Sequence, residues 1–238
     1  TMSDGVINVG EDGVGIFATG SSDSQATTPT STVTLSGGTI NVGNKQAVGV
    51  FIADDTTNKI KTTANNSGTN STIGNDSFGY VVDSTTGSVL NLGANSIGKV
   101  TKLTASVGTD SVYVYSNDKT GAVFSYTDIT TTGSKSYGLY TAGEAVNYGT
   151  LTLNSGNGNV GIYSTTTSPT GKGSQNYGII NVGKTDTVAK EFGIGMATGY
   201  YDETTKAISN EGLIENYGTI KSVPNATNDG IKGVVALN

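Results

Sequence analysis

The sequence predicts an all-β chain wound as a parallel β-helix. Three observations predict it: a composition of strand and turn formers, two short motifs that alternate, and a repeat too short to bury a core alone. Of the 238 residues, 34 % are hydrophobic, only 13 % are charged and 35 are glycine. Disorder normally joins low hydrophobicity to high net charge. Here Thr, Ser, Asn and Gly replace the charges, and those residues build strands and tight turns.

The first motif is a glycine followed by an apolar–polar–apolar stretch. Its copies are Gly5-Val6-Ile7-Asn8-Val9, Gly38-Thr39-Ile40-Asn41-Val42, Gly87-Ser88-Val89-Leu90-Asn91-Leu92, Gly149-Thr150-Leu151-Thr152-Leu153, Gly178-Ile179-Ile180-Asn181-Val182 and Gly218-Thr219-Ile220. Period-two alternation marks a half-buried strand. Ile7/Val9, Ile40/Val42, Leu90/Leu92, Leu151/Leu153 and Ile180/Val182 are expected to face inward, with Asn8, Asn41, Asn91, Thr152 and Asn181 in an outward row.

The second motif sets a glycine between apolar residues, usually followed by an aromatic one. Its copies are Val14-Gly15-Ile16-Phe17, Val48-Gly49-Val50-Phe51, Phe78-Gly79-Tyr80-Val81, Tyr137-Gly138-Leu139-Tyr140, Val160-Gly161-Ile162-Tyr163 and Phe192-Gly193-Ile194-Gly195-Met196. The residues flanking each glycine, such as Val14/Ile16 and Tyr137/Leu139, are expected to point inward. The side taken by Phe17, Phe51, Tyr140 and Tyr163 stays open.

The glycines of the second motif are 34, 30, 59, 23 and 32 residues apart, and the long interval leaves room for one or two degenerate coils built from Val112–Tyr115, Ala122–Tyr126 and Asp128–Thr132. A solenoid of about eight or nine coils results, because units of about 20–50 residues bury a core only by stacking. A propeller would need hairpin-linked blades, and no regular hairpin signal recurs. The return from second motif to first varies most, so insertions are expected on one side of the rod, near residues 18–32, 54–72 and 197–209. The Ser/Thr/Asn-rich stretch 56–72 reads as one long loop. Residues 1–238 form a single segment, and with apolar pattern running to both ends it is expected to be an uncapped fragment.

Absences narrow the chemistry. The chain has no cysteine and no histidine, so it offers neither a thiolate metal site nor the usual general base. All thirteen basic residues are lysine and the net charge is −6, which disfavours a nucleic-acid backbone. No apolar run reaches the about 20 residues of a membrane span.

Three copies of the first motif follow Asn-Tyr: Asn147-Tyr148-Gly149, Asn176-Tyr177-Gly178 and Asn216-Tyr217-Gly218, with Asn210-Glu211-Gly212-Leu213-Ile214 as a related copy. This pattern, with Val-Gly-Ile-Phe/Tyr, resembles the passengers of monomeric (type V) autotransporter adhesins of fusobacteria, the RadD-like family. The resemblance implies a right-handed β-helix on the bacterial surface, anchored by an outer-membrane β-barrel outside these residues. It further implies adhesion to other bacteria or host cells through a surface protein or glycan. From the residues themselves, a monomer without a cofactor and without enzymatic activity is expected. A polysaccharide-cleaving β-helix, a trimeric autotransporter head and a purely structural stalk are the alternatives.

Little in the sequence suggests catalysis. Gly10-Glu11-Asp12-Gly13-Val14-Gly15 has the glycine spacing of a phosphate loop but carries two acids and precedes a strand. Calcium needs six or more oxygen ligands, and neither this turn nor Asp54-Asp55 supplies them. Polysaccharide hydrolysis needs two facing carboxylates, whereas Asp4, Glu11, Asp12, Asp83, Asp118, Glu144 and Asp186 read as solvated turn acids. The loop holding Tyr200, Tyr201, Asp202, Glu203 and Lys206 is the expected partner-binding patch, because paired tyrosines among charges suit a polar aromatic contact.

Overall fold

The computed structural model is a parallel β-helix of eight stacked coils. It describes residues 1–20, 31–54, 62–93, 95–96, 99–153, 156–183, 193–202, 204, 206–209, 211–222 and 234–236. Three parallel sheets run the length of the rod. Sheet I comprises Val6–Val9, Thr39–Val42, Asn70–Ile73, Leu103–Val107, Thr127–Thr131, Thr150–Leu153, Ile179–Val182 and Thr219–Ser222. Sheet II comprises Val14–Thr19, Val48–Ala53, Phe78–Asp83, Val112–Ser116, Tyr137–Ala142, Asn159–Thr166, Gly193–Thr198 and Val234–Ala236. Sheet III comprises Ser31–Leu35, Thr62–Asn66, Val89–Leu92, Ala122–Ser125, Glu144–Asn147, Ser174–Asn176 and Ile214–Asn216. Each coil passes from sheet I to II to III and then rises one rung.

The long interval between Gly79 and Gly138 holds one coil, whose sheet II strand is Val112–Ser116. Tyr113 takes the place of the glycine there. The register also moves the last copy of the motif by two residues: Ile194 pairs with Val160 and Met196 with Ile162, so Gly195, not Gly193, continues the column.

Three further expectations change. Val89–Leu92 belongs to sheet III, and the sheet I strand of its coil is Asn70–Ile73. The stretch 56–72 is therefore no single loop: Thr62–Asn66 and Asn70–Ile73 are both strands, one on each side of a corner. Ile214 likewise opens a sheet III strand, so the Asn210–Ile214 copy is not a sheet I element. Apolar alternation alone cannot tell one face of the prism from another.

The core is a set of columns, one residue per coil. In sheet I, Ile7, Ile40, Ser71, Ala105, Ile129, Leu151, Ile180 and Ile220 stack in register. In sheet II, alternation breaks at the motif glycine, which faces inward together with the residue after it. A Cβ on Gly49 would meet Val42 and Ile40 side chains at 3.0 and 3.4 Å. Val50, Tyr80, Val114, Leu139 and Ile162 are all buried. The residue before the glycine faces outward, contrary to the simple alternation: Val14 is exposed, and Tyr137 packs edge-on against the outer rings of Tyr140 and Tyr163.

Where Tyr80 and Tyr113 enter the core, edge-to-face at 5.5 Å, the Ile7–Ile220 column of sheet I carries its smallest residues, Ser71 and Ala105. Both hydroxyls have partners: Asn66 Nδ2 donates to Tyr80 Oη (2.7 Å), and Tyr113 Oη lies 3.2 Å from Thr127 Oγ1. Burial pushes the Tyr80 phenol up to about 12 and Tyr113 well above the ordinary tyrosine range.

One column of polar inward positions is satisfied by stacking. Asn147 Nδ2 donates to Asn176 Oδ1, and Asn176 Nδ2 to Asn216 Oδ1, each at 2.8 Å. Each of these asparagines also bonds the glycine two residues on, which shapes the Asn-Tyr-Gly corner between sheets III and I.

Candidate functional site

The predicted loop is an antiparallel hairpin. Tyr200–Asp202 pairs with Ala207–Ser209, and the hairpin is inserted at the corner between sheets II and III of the seventh coil. Tyr201 sits opposite Ile208 in the ladder and Asp202 opposite Ala207. Lys206 is exposed and takes a left-handed backbone conformation at φ 54°, while Glu203 lies outside the described residues. At the hairpin's base Tyr163 Oη donates to the Gly199 carbonyl.

Two columns of aromatic rings line the outside of the rod. On sheet II, Phe17 stacks on Phe51 (5.6 Å), and further along Tyr115 stacks on Tyr140 (5.5 Å) and Tyr140 on Tyr163 (4.9 Å). At the corner between sheets III and I, Tyr126, Tyr148, Tyr177 and Tyr217 stack at 4.5, 5.5 and 4.9 Å. Sheet stacking supplies this geometry, since strand neighbours lie about 4.8 Å apart. Exposure of Tyr148, Tyr177 and Tyr217 rises from 37 % to 58 %, so the corner column presents apolar surface to solvent.

Four of these phenols, Tyr140, Tyr148, Tyr163 and Tyr217, are held above the ordinary tyrosine range. Burial raises Tyr140, Tyr148 and Tyr163, with neighbouring tyrosines adding to the effect. In Tyr217 the hydrogen bond to Glu215 comes first.

The sheet II column has one missing rung. Val81 stands in register between Phe51 and Tyr115, and the absent ring leaves a groove of about 670 Å³ over the second to fourth coils. Val48 and Phe78 form one wall, with the Phe78 ring edge-on to Tyr115 at 6.1 Å. Gln46, Asp76 and Asp110 line the groove along the corner between sheets I and II. All three residues adopt positive φ, at 58°, 51° and 51°. Asp76 and Asp110 occupy one column, because Asp76 N–H donates to the Thr109 carbonyl; the second coil has two residues at this corner, Lys45 donating its N–H to the Asn75 carbonyl and Gln46 its N–H to the Asp76 carbonyl.

The remaining acids are dispersed. Glu11 pairs with Lys45 at 2.6 Å and Glu144 with Lys172 at 3.0 Å. Asp118 is not a solvated turn acid: it is fully buried at a II–III corner, where it accepts from the Gly87, Ser88 and Thr120 amides and the Thr120 hydroxyl. Asp54 accepts from the Thr85 amide and hydroxyl. These carboxylates replace missing backbone partners at corners. Asp55 and Asp186 lie outside the described residues. Among the described residues no three acidic side chains gather into a metal-binding group.

No family model, curated protein or solved structure matches this chain. Its surface must therefore be read from its own chemistry. Stacked rings on a regular face, with amide and carboxylate groups beside them, are the groups that suit polar aromatic contacts. The groove covers the second to fourth coils and the hairpin leaves the seventh, so they are not one site. Sequence reasoning missed the groove because it belongs to three coils at once. A signal was present in Gly74-Asn75-Asp76-Ser77-Phe78 and Gly108-Thr109-Asp110-Ser111-Val112, which match at the corner that carries both carboxylates.

Proposed function

We propose that this chain is a segment of a surface-displayed adhesin of the autotransporter type. In this reading the rod is exported, anchored through a β-barrel outside these residues, and used as a monomer to hold a lateral contact face away from the cell. The face engages a protein or glycan on another bacterium or a host cell. The observation that carries the reading is the pair of outward aromatic columns on an in-register rod. The corner column leaves Tyr148, Tyr177 and Tyr217 exposed, and contiguous apolar patches of this kind commonly mark contacts. The sequence resemblance to fusobacterial passengers points the same way.

The test is adhesion of beads coated with the purified chain to a panel of bacterial and epithelial cells. Wild-type beads are expected to adhere above beads coated with an unrelated β-helix. Equal adhesion of the two would overturn the reading. A chain lacking residues 199–209 that melts normally and adheres like the wild type would remove the Tyr200–Lys206 hairpin from the contact.

A further inference from the structure

We propose that the groove over Val81 is a binding site for an amine-bearing pyranose, a hexosamine unit whose nitrogen is not acylated. The proposal rests on the adhesin reading and specifies one ligand class for it.

The groove's shape comes from the vacant rung. Phe51 and Tyr115 are two coils apart, so their rings are separated by about twice the 4.8 Å strand spacing. A six-membered ring placed on the vacant rung would lie about 4.8 Å from each neighbour, inside the usual range of ring contacts. The intact parts of the same column stack at 4.9 to 5.6 Å. A pyranose chair directs axial C–H bonds to both faces, and these suit the negative faces of Phe51 and Tyr115. Val81 is the apolar floor, and Phe78 closes one side.

The groove's charge selects the amine. Asp76 and Asp110 are adjacent in one column, held at one-coil spacing by the Asp76 N–H bond to Thr109. Both are exposed, and neither side chain takes part in an ion pair among the described residues. Lys45 precedes Asp76 and Lys135 follows Asp110 along the corner, but Lys45 is engaged by Glu11, and among the described residues Lys135 forms no ion pair with Asp110. Two like charges one rung apart repel, and a cation between them relieves that repulsion. The same carboxylates, as pure acceptors, would also take hydroxyl hydrogens from the sugar rim, and Gln46 adds both a donor and an acceptor.

The test is calorimetric titration of the purified chain, in mildly acidic buffer, with a β-1,4-linked glucosamine tetramer, its fully N-acetylated counterpart and tetralysine. The wild type is expected to bind the glucosamine tetramer at least about tenfold more tightly than either control. Val81→Tyr, which fills the vacant rung, and the Asp76→Asn/Asp110→Asn double variant, whose asparagines tolerate positive φ, are each expected to weaken binding about tenfold or more. Wild-type affinity in Val81→Tyr, equal binding of the acetylated tetramer, equal binding of tetralysine, or no binding of the glucosamine tetramer overturns the proposal. Bead adhesion separates this failure from failure of the broader reading. If wild-type and Val81→Tyr beads adhere equally, the groove is not the contact, yet the adhesin stands.

Discussion

Core packing in the third and fourth coils allows a sign reversal to be tested. Elsewhere the inward sheet II position holds glycine, facing a large aliphatic residue of sheet I: a Cβ on Gly161 would meet Ile180 and Leu151 side chains at 3.2 and 3.3 Å. In the fourth coil that glycine is Tyr113, and the sheet I residue is Ala105. Replacing Ala105 by Ile, the residue that the next coil carries as Ile129, adds three carbons where Tyr113 already fills the space. Overpacking of this kind costs about 1–3 kcal/mol. Tyr113→Gly alone empties the space and should cost about 3–5 kcal/mol, as other buried aromatic truncations do. In the Tyr113→Gly background, however, the same Ala105→Ile change buries its three carbons usefully, worth about 2 kcal/mol at 0.8 per carbon. One substitution is thus expected to destabilise the wild type and stabilise the variant, a coupling of about 3–5 kcal/mol. Urea unfolding followed by far-ultraviolet circular dichroism measures all four proteins. Loss of stability by Ala105→Ile in both backgrounds would refute the packing argument.

Three further outcomes follow from the same interior. Asn147→Ala should lower stability by about 2–4 kcal/mol, since it leaves the Gly149 amide and Asn176 Oδ1 without their partner; thermal melting reads this. Gly161→Ala sets a Cβ 2.6 Å from the Gly195 carbonyl, whose backbone cannot yield, whereas Gly10→Ala meets nothing within 4 Å. The first should cost about 1–3 kcal/mol or more and the second within about 0.5, by the same melts. Raised tyrosine values make the fold sensitive to alkali. Unfolded Tyr80 loses its proton near pH 10 and folded Tyr80 only at about 12, so its contribution is complete below pH 10 and is lost as pH rises towards 12. That contribution is about 3 kcal/mol, and Tyr80→Phe should flatten the decline in a pH series of melts.

Much of the rod was legible because its repeat is short and period-two. Ile40/Val42, Leu151/Leu153 and Ile180/Val182 are buried in sheet I as their alternation requires, and the outward Asn8 and Asn41 are hydrogen-bonded across coils at 2.9 Å. Assignment to a sheet was less legible. Val89–Leu92 has the apolar–polar–apolar pattern of sheet I yet lies in sheet III, while Asn70–Ile73 has almost none of that pattern and lies in sheet I. What places Asn70–Ile73 is its neighbours: its inward Ser71 makes room for Tyr80, a volume relation that a single strand does not display. The candidate groove was hidden for the same reason. Phe51, Val81 and Tyr115 are 30 and 34 residues apart, and only the register reveals that a ring is missing between two others.

The aromatic columns raise the question of whether their rings serve the fold or a partner, and Val81 can answer it. Stacked aromatic pairs contribute about 0.5–1.5 kcal/mol beyond area burial. They also pin register, because a slip of one residue would move every ring to the opposite face. If fold stability were the column's whole purpose, a tyrosine at Val81 would serve better than valine, adding contacts to both Phe51 and Tyr115. Val81 lies on the outer face, so a larger side chain there extends into the groove rather than into the core. Val81→Tyr is therefore expected to melt at or above the wild-type temperature. Its circular dichroism spectrum should be unchanged, and its thermal shift on adding the glucosamine tetramer should be lost. A fall in melting temperature would mean that the rung has no room for a ring, and the groove would then be too tight for a sugar as well.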